Sequence, residues 1–277
     1  MLKVAFRFFV FSSLYIAACA LVMVYQLQIL FSGIVLSSAF YGFVFFSTMC
    51  SYNFHWWLSS HSATGSERLQ WAGANRSVHL WLYLVSVAGS VVCFWFIRQH
   101  WFWIAAGAVL TFLYSAPKIP HPLFTVLRRI AIGKTIFLAM VWTYVTTLLP
   151  LFVAGVAWRP GFIWLACSRF FLIYAICILF DYRDREDDKA DGIRSMITWF
   201  NERGINNLFA FSIVSFVFFA ALIFPEVLTA KRLVAWLIPG AIVAALYPYA
   251  KKNFSDYLYY FILDGLMMLS GLLMMVI

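Results

Sequence analysis

The sequence predicts an all-α protein that crosses a membrane several times, and three observations carry that reading. Of its 277 residues 64% are hydrophobic, and the mean hydropathy is +0.88. Only 11% are charged, against about 25% in a soluble domain. Apolar runs close to the roughly 20 residues that a helix needs to span lipid recur along the whole chain. Within hydrocarbon the backbone polar groups must be satisfied inside each segment, which selects helices over open strands. The alternating ten-residue segments of a β-barrel are absent.

Nine transmembrane helices are expected in a single integral-membrane unit, residues 1–277. The first run, 8–30, follows Lys3 and Arg7 and is longer than the roughly 7–15 apolar residues of a signal peptide, so it reads as a retained helix. The second, 36–54, ends near Asn53. After a loop over 55–78 come the third, 79–97, and the fourth, 101–117. Pro117 disfavours helix at Ala116 and removes a donor, which ends the fourth run. The fifth and sixth cover 135–156 and 161–180. A second long loop, 181–205, leads to the seventh, eighth and ninth runs at 206–225, 233–250 and 257–277, with Lys251 and Lys252 anchoring the eighth.

Basic residues set the orientation. Fifteen lie on the side of the N-terminus and both long loops, and four (Arg98, Arg159, Lys231, Arg232) on the other; Arg169 falls inside a span. Loops rich in Lys and Arg stay cytoplasmic, which predicts a cytoplasmic N-terminus and an opposite C-terminus, in the inner or cell membrane if the protein is bacterial. The net charge of +9 is then a topology signal, and no nucleic-acid partner is implied. The five cysteines stand singly in or beside apolar runs and read as small buried residues.

Chemistry concentrates in "LFDYRDREDDKADGIRS", Leu179–Ser195. Asp181, Asp184, Glu186, Asp187, Asp188 and Asp191 are six of the chain's 11 acidic residues. If the sixth helix continues, Asp181, Asp184 and Asp188 share one face. Like charges about 6 Å apart repel by roughly 3 kcal/mol at an effective dielectric near 20, so this face calls for a cation. Oxygen ligands from one or two carboxylates, completed by water and phosphate, describe Mg²⁺ with a diphosphate. The alternative is a solvated loop balanced by Arg183, Arg185, Lys189 and Arg194.

Two further stretches favour the first reading. "YSAPKIPHPLFTVLRR" places Tyr114 and Lys118 where the fourth helix ends, followed by Arg128, Arg129 and Lys134. One lysine and two arginines suit a diphosphate, as a point charge and as planar forks. The first long loop, from Tyr52 to Ser77, carries Asn53 at one end and Asn75-Arg76 at the other. Inside the spans, Arg169 and Asp264 are costly enough to imply a cavity or a partner. They either face one another across a shared cavity or are satisfied separately.

At these residues the chain resembles the UbiA superfamily of intramembrane prenyltransferases. "DYRDREDDKADGIRS" is similar to that family's second Asp-rich motif, with Asp181, Asp184 and Asp188 on the metal-coordinating positions and Gly192, Arg194 and Ser195 continuing the register. "YSAPK" is similar to a Y-x-x-x-K element, and Asn75-Arg76 to an N-R-P element with Ser77 in place of proline. In the first Asp-rich motif Asn53 stands as the leading asparagine, but Phe54, Trp57 and His61 occupy the aspartate positions. Glu67 is the sole acid of that loop, with no assignable role there. The resemblance implies nine helices around a cavity open toward the cytoplasm. It also implies an isoprenyl diphosphate and a lipophilic, often aromatic, acceptor as substrates, lipid as surroundings, and Mg²⁺ at Asp181, Asp184 and Asp188. Asn53, Arg76, Tyr114, Lys118, Arg128, Arg129 and Arg194 would hold the substrate. A relative that binds a prenyl or lipid diphosphate, or a partner enzyme, without catalysis is the alternative.

Overall fold

A computed structural model describes residues 2–59, 66–115, 134–190, 195–224 and 229–277. All regular structure among them is helical. The N-terminal segment is two helices, α1 (Leu2–Phe11) and α2 (Leu14–Leu30), bent by 64°. The bend sits at Ser12-Ser13, where Ser13 takes a left-handed conformation (φ 71°). The single run predicted over 8–30 is therefore broken, and α1 leaves the line of α2.

Helix α3 (Ser38–Ser59) extends past the predicted end at 54. The predicted loop 55–78 contains a further helix, α4 (Glu67–Ala74), whose cap is Ser66 accepting from the Leu69 amide. Helices α5 (Arg76–Ile97) and α6 (Trp101–Ser115) are separated by the 3-10 turn Arg98–His100, at the boundary the sequence placed there. Helix α7 (Lys134–Thr143) passes through a π-helical turn, Tyr144–Leu148, into α8 (Leu149–Ala154).

Helix α9 (Pro160–Arg183) is the axis of the molecule, buried along most of its length. It packs on α7 and on α12 (Glu202–Ile223). Between them lie the short α10 (Arg185–Ala190) and α11 (Met196–Trp199). Helix α13 (Ala230–Ala250) follows, then a π-helical turn, Leu258–Leu263, that runs into α14 (Asp264–Met274). The last helix closes the bundle against both α13 and α2, while α3 pairs with α5.

Helix occupies each of the nine predicted runs. Among the described residues, however, five helical runs are long and apolar enough to cross a membrane: Arg76–Leu113, Thr135–Ala154, Pro160–Arg183, Glu202–Ile223 and Ala230–Ala250. The bent pair Leu2–Phe11 and Leu14–Leu30 makes a sixth if counted as one span. The shortfall from nine has physical causes. The predicted third and fourth runs merge in one 38-residue stretch. The second is diluted by polar residues at its end, and Leu258–Met274 is short.

Arg169 is satisfied without Asp264. Arg169 donates to the Thr146 carbonyl (2.7 Å), Thr147 Oγ1 (2.9 Å) and Gln26 Oε1 (2.8 Å), and Gln26 donates on to Ser270 Oγ (3.0 Å). This chain of bonds joins the π turn after α7 to α9, α2 and α14. Asp264 lies instead on the side of Arg68 and Arg183, the two cations whose charge reaches it.

Candidate functional site

The acidic motif is built on the end of α9. Asp181 is buried in its last turn and accepts a hydrogen bond from Thr135 of α7. Asp184 caps the helix with an irregular backbone (φ −86°, ψ 2°), and its carbonyl accepts the Asp188 amide at 2.8 Å. One residue thus interrupts the helix, and Asp188 is buried on α10. Asp184 is the accessible member of the three, its side chain 40% exposed, and Arg183 Nε holds it at 2.8 Å. Glu186 lies out on the surface, where the Lys189 ammonium at 2.7 Å holds its carboxyl below the usual range.

The three aspartates do not converge into a preformed cage. Among the described residues no group of three or more His, Cys, Asp or Glu is placed to hold a metal. Their chemistry nevertheless suits Mg²⁺, a hard cation that takes oxygen ligands and needs one or two carboxylates when phosphate supplies the rest.

Arg183 links the motif to the opposite wall. Its Nη2 donates to the Tyr260 hydroxyl at 2.8 Å, and its guanidinium lies 4.9 Å from the centre of that ring. Its Nη1 stands 3.6 Å from Asp256 Oδ1. The other Asp256 oxygen accepts the Arg68 amide at 2.7 Å, which pins α4 to the start of the last helix.

Arg68 faces the same ring. Its guanidinium is 4.1 Å from the centre of Tyr260 and 4.3 Å from that of Trp56, and the residue is 2% exposed. Burial pushes its pKa down. Stacking covers the faces of the guanidinium but leaves its edge: Arg68 Nε and Nη2 are buried without a hydrogen-bond partner, as is Trp56 Nε1. Each such buried donor costs about 1–3 kcal/mol.

The first motif's place is aromatic. Phe54 stacks on Trp57 at 6.4 Å and lies 5.4 Å from Tyr83 of α5. Asn53 is fully buried and committed inside the protein: it donates to the Met49 carbonyl (2.9 Å) and the Ser12 carbonyl (3.2 Å), and its Oδ1 meets His79 Nδ1 at 2.7 Å. Glu67 pairs with Arg7 at 3.4 Å. Arg76 lies over Trp57 at 5.0 Å, beside a depression of about 300 Å³ shared with Ser77 and Leu80.

Lys118, Arg128, Arg129, Arg194 and His61 lie outside the described residues, as does the side chain of Tyr114. Sequence reading passed over Trp56, Arg68, Asp256 and Tyr260, and it read Arg183 only as counter-charge. Arg68 counted there as topology alone. The available signal was its company: an arginine directly after the single acid of its loop. Lys251, expected as an anchor, bonds Glu202 Oε2 at 2.6 Å, and Arg185 bonds the other oxygen at 2.9 Å, which ties α10, α12 and the end of α13 together.

Compared with known proteins, residues 73–257 match the UbiA prenyltransferase family. No curated protein sequence matches. Among solved structures, that of a digeranylgeranylglyceryl phosphate synthase is similar, with a TM-score of 0.59 and 14% identity over 100% of this chain and 98% of that one. At such identity the likeness is one of fold.

Proposed function

Because the chain belongs to the UbiA prenyltransferase family, its match covering well over half the residues, we propose that it is an intramembrane prenyltransferase. It transfers an isoprenyl group from an isoprenyl diphosphate to a lipophilic acceptor, with Mg²⁺ and with the motif end of the bundle toward the cytoplasm. The observation that carries this reading is the acidic motif at the end of α9, two of its aspartates buried and the third accessible beside Arg183.

Asp181, Asp184 and Asp188 would hold the metal. Bound there, Mg²⁺ supplies positive charge against the diphosphate as it leaves. The C1–O bond breaks, both electrons depart with pyrophosphate, and the acceptor's nucleophilic atom bonds to C1 and loses its proton. Arg183 holds Asp184 in place. Lys118, Arg128, Arg129 and Arg194, with Tyr114, would grip the phosphate oxygens. Asn53 has its polar atoms committed to other protein groups and serves the α3–α5 junction, and Arg76 lies beside Trp57.

Pyrophosphate release from a panel of isoprenyl diphosphates tests the proposal, using detergent-purified protein with Mg²⁺ or EDTA. Asp184→Asn and Asp188→Asn should each lower the rate by about two to three orders of magnitude, the scale of losing one preorganised charge-stabilising group. Equal rates in wild type and both variants would sink it. The aromatic first-motif site favours a second reading, a member that binds the diphosphate without ionising it. Mg²⁺-dependent binding, lost in the variants and unaccompanied by release, would select that one.

A further inference from the structure

The turn of α3 that bears Asn53 carries Phe54 and Trp57 where the first Asp-rich motif would hold a second metal. The end of the bundle is not thereby left without positive charge. Arg68, brought from α4, reaches back to Trp56 of the same turn and lies against Tyr260, the ring that also receives Arg183. A guanidinium thus stands one aromatic ring away from the arginine that holds Asp184.

The unmet hydrogen bonds there are on donors. Arg183 Nη1 and Asp256 Oδ1 answer each other at 3.6 Å, just beyond bonding distance. What is left is Arg68 Nε, Arg68 Nη2 and Trp56 Nε1, three buried donor nitrogens with no acceptor. Asp256 takes the Arg68 backbone amide, and although the charges of Asp256 and Asp264 both reach the guanidinium, among the described residues no carboxylate bonds its fork. A metal ion has no use for such a cluster. An anion with several oxygens does, since a guanidinium edge presents parallel donors spaced for phosphate.

We propose that Arg68, assisted by the Trp56 indole N–H, is a protein-borne cation that receives the substrate's diphosphate in place of the metal a first Asp-rich motif would bind. This rests on the prenyltransferase reading of the acidic motif, and it gives that reading one metal and one arginine instead of two metals. The three donors gain on binding the acceptors they lack in the free protein. Trp56 and Tyr260 cover the guanidinium and leave its donor edge unbonded.

The test is equilibrium binding of farnesyl thiodiphosphate, a slowly ionising probe, to the full-length protein in nanodiscs as a function of Mg²⁺. Thermal stability of each variant is recorded alongside. Wild-type binding should depend on Mg²⁺ to first order. Arg68→Ala should weaken binding about 10- to 100-fold, the range for charge-assisted hydrogen bonds, and Arg68→Lys should recover part of it, having charge without the fork. Trp56→Phe keeps the ring and loses the N–H, so it should cost about 3- to 10-fold. It also decides the matter if Arg68→Ala does not fold. Unchanged affinity in folded Arg68→Ala, or second-order Mg²⁺ dependence in wild type, would overturn the proposal. If Asp188→Asn abolishes binding while Arg68→Ala and Trp56→Phe bind normally, the prenyltransferase reading stands and this one falls. No binding by wild type removes both.

Discussion

Single residues decide what the motifs mean. Asn53 has the sequence position of a substrate ligand, yet every polar atom of its side chain is used within the protein. Asn53→Ala would orphan the Ser12 carbonyl and His79 Nδ1 together, so it should lower stability by about 1–3 kcal/mol, read as a fall in the unfolding midpoint in detergent. Arg169 is a stronger case. It is a buried cation held by three neutral acceptors on two other segments. Replacing it with Met removes the donors from all three, and the loss should be about 3 kcal/mol or more. Sequence reading singled out Arg169 correctly, because a charge in an apolar run is conspicuous. It left the partner open, because Gln26 lies 143 residues away and gives no local sign of the contact.

At the scale of elements, apolar runs made most helices legible, and the polar gap between two of them placed the break at Arg98–His100. The break at Ser12-Ser13 was not legible, since neither glycine nor proline marks it and a serine carries the left-handed conformation. Helix α4 was hidden for the opposite reason: at eight residues it is too short and too polar to show an apolar stripe. The acidic motif could be read from spacing because its three aspartates fall close together in the sequence, although the break at Asp184 divides them between α9 and α10. The Arg68–Tyr260–Arg183 cluster could not, for it joins α4, the last helix and α9. One contact between elements can be checked directly. The Tyr15 hydroxyl crosses to the Phe261 carbonyl at 2.8 Å, passing Gly265, where an added methyl group would overlap it. Gly265→Ala should destabilise by about 1–3 kcal/mol. In the Tyr15→Phe background most of that cost should vanish, a coupling that a double-mutant cycle measures.

Across the whole molecule, the charged groups described above gather at one end: Arg7 with Glu67, Arg68 with Asp256, Arg183 with Asp184, and Glu202 with Arg185 and Lys251. The distribution of lysine and arginine predicts that this end faces the cytoplasm. Asp187 is exposed there, so an Asp187→Cys variant in intact cells should resist a membrane-impermeant maleimide and react once the cells are opened. Labelling of intact cells would reverse the orientation, and with it the compartment from which the proposed substrate arrives.

The closure of the bundle bears on how the protein is made. Helix α2 packs against the last π turn and α14 through Tyr15–Phe261 and Gln26–Ser270, pairs separated by 246 and 244 residues. At a synthesis rate of about 5–20 residues per second, α2 waits on the order of 10–50 s for its neighbour to be translated. During that time Gln26 has neither Ser270 to bond nor a settled Arg169 to receive. The emerging chain must therefore shelter a half-finished polar seam within the bilayer, and a ribosome stalled before α14 would leave an insertion intermediate that quality-control proteases can recognise.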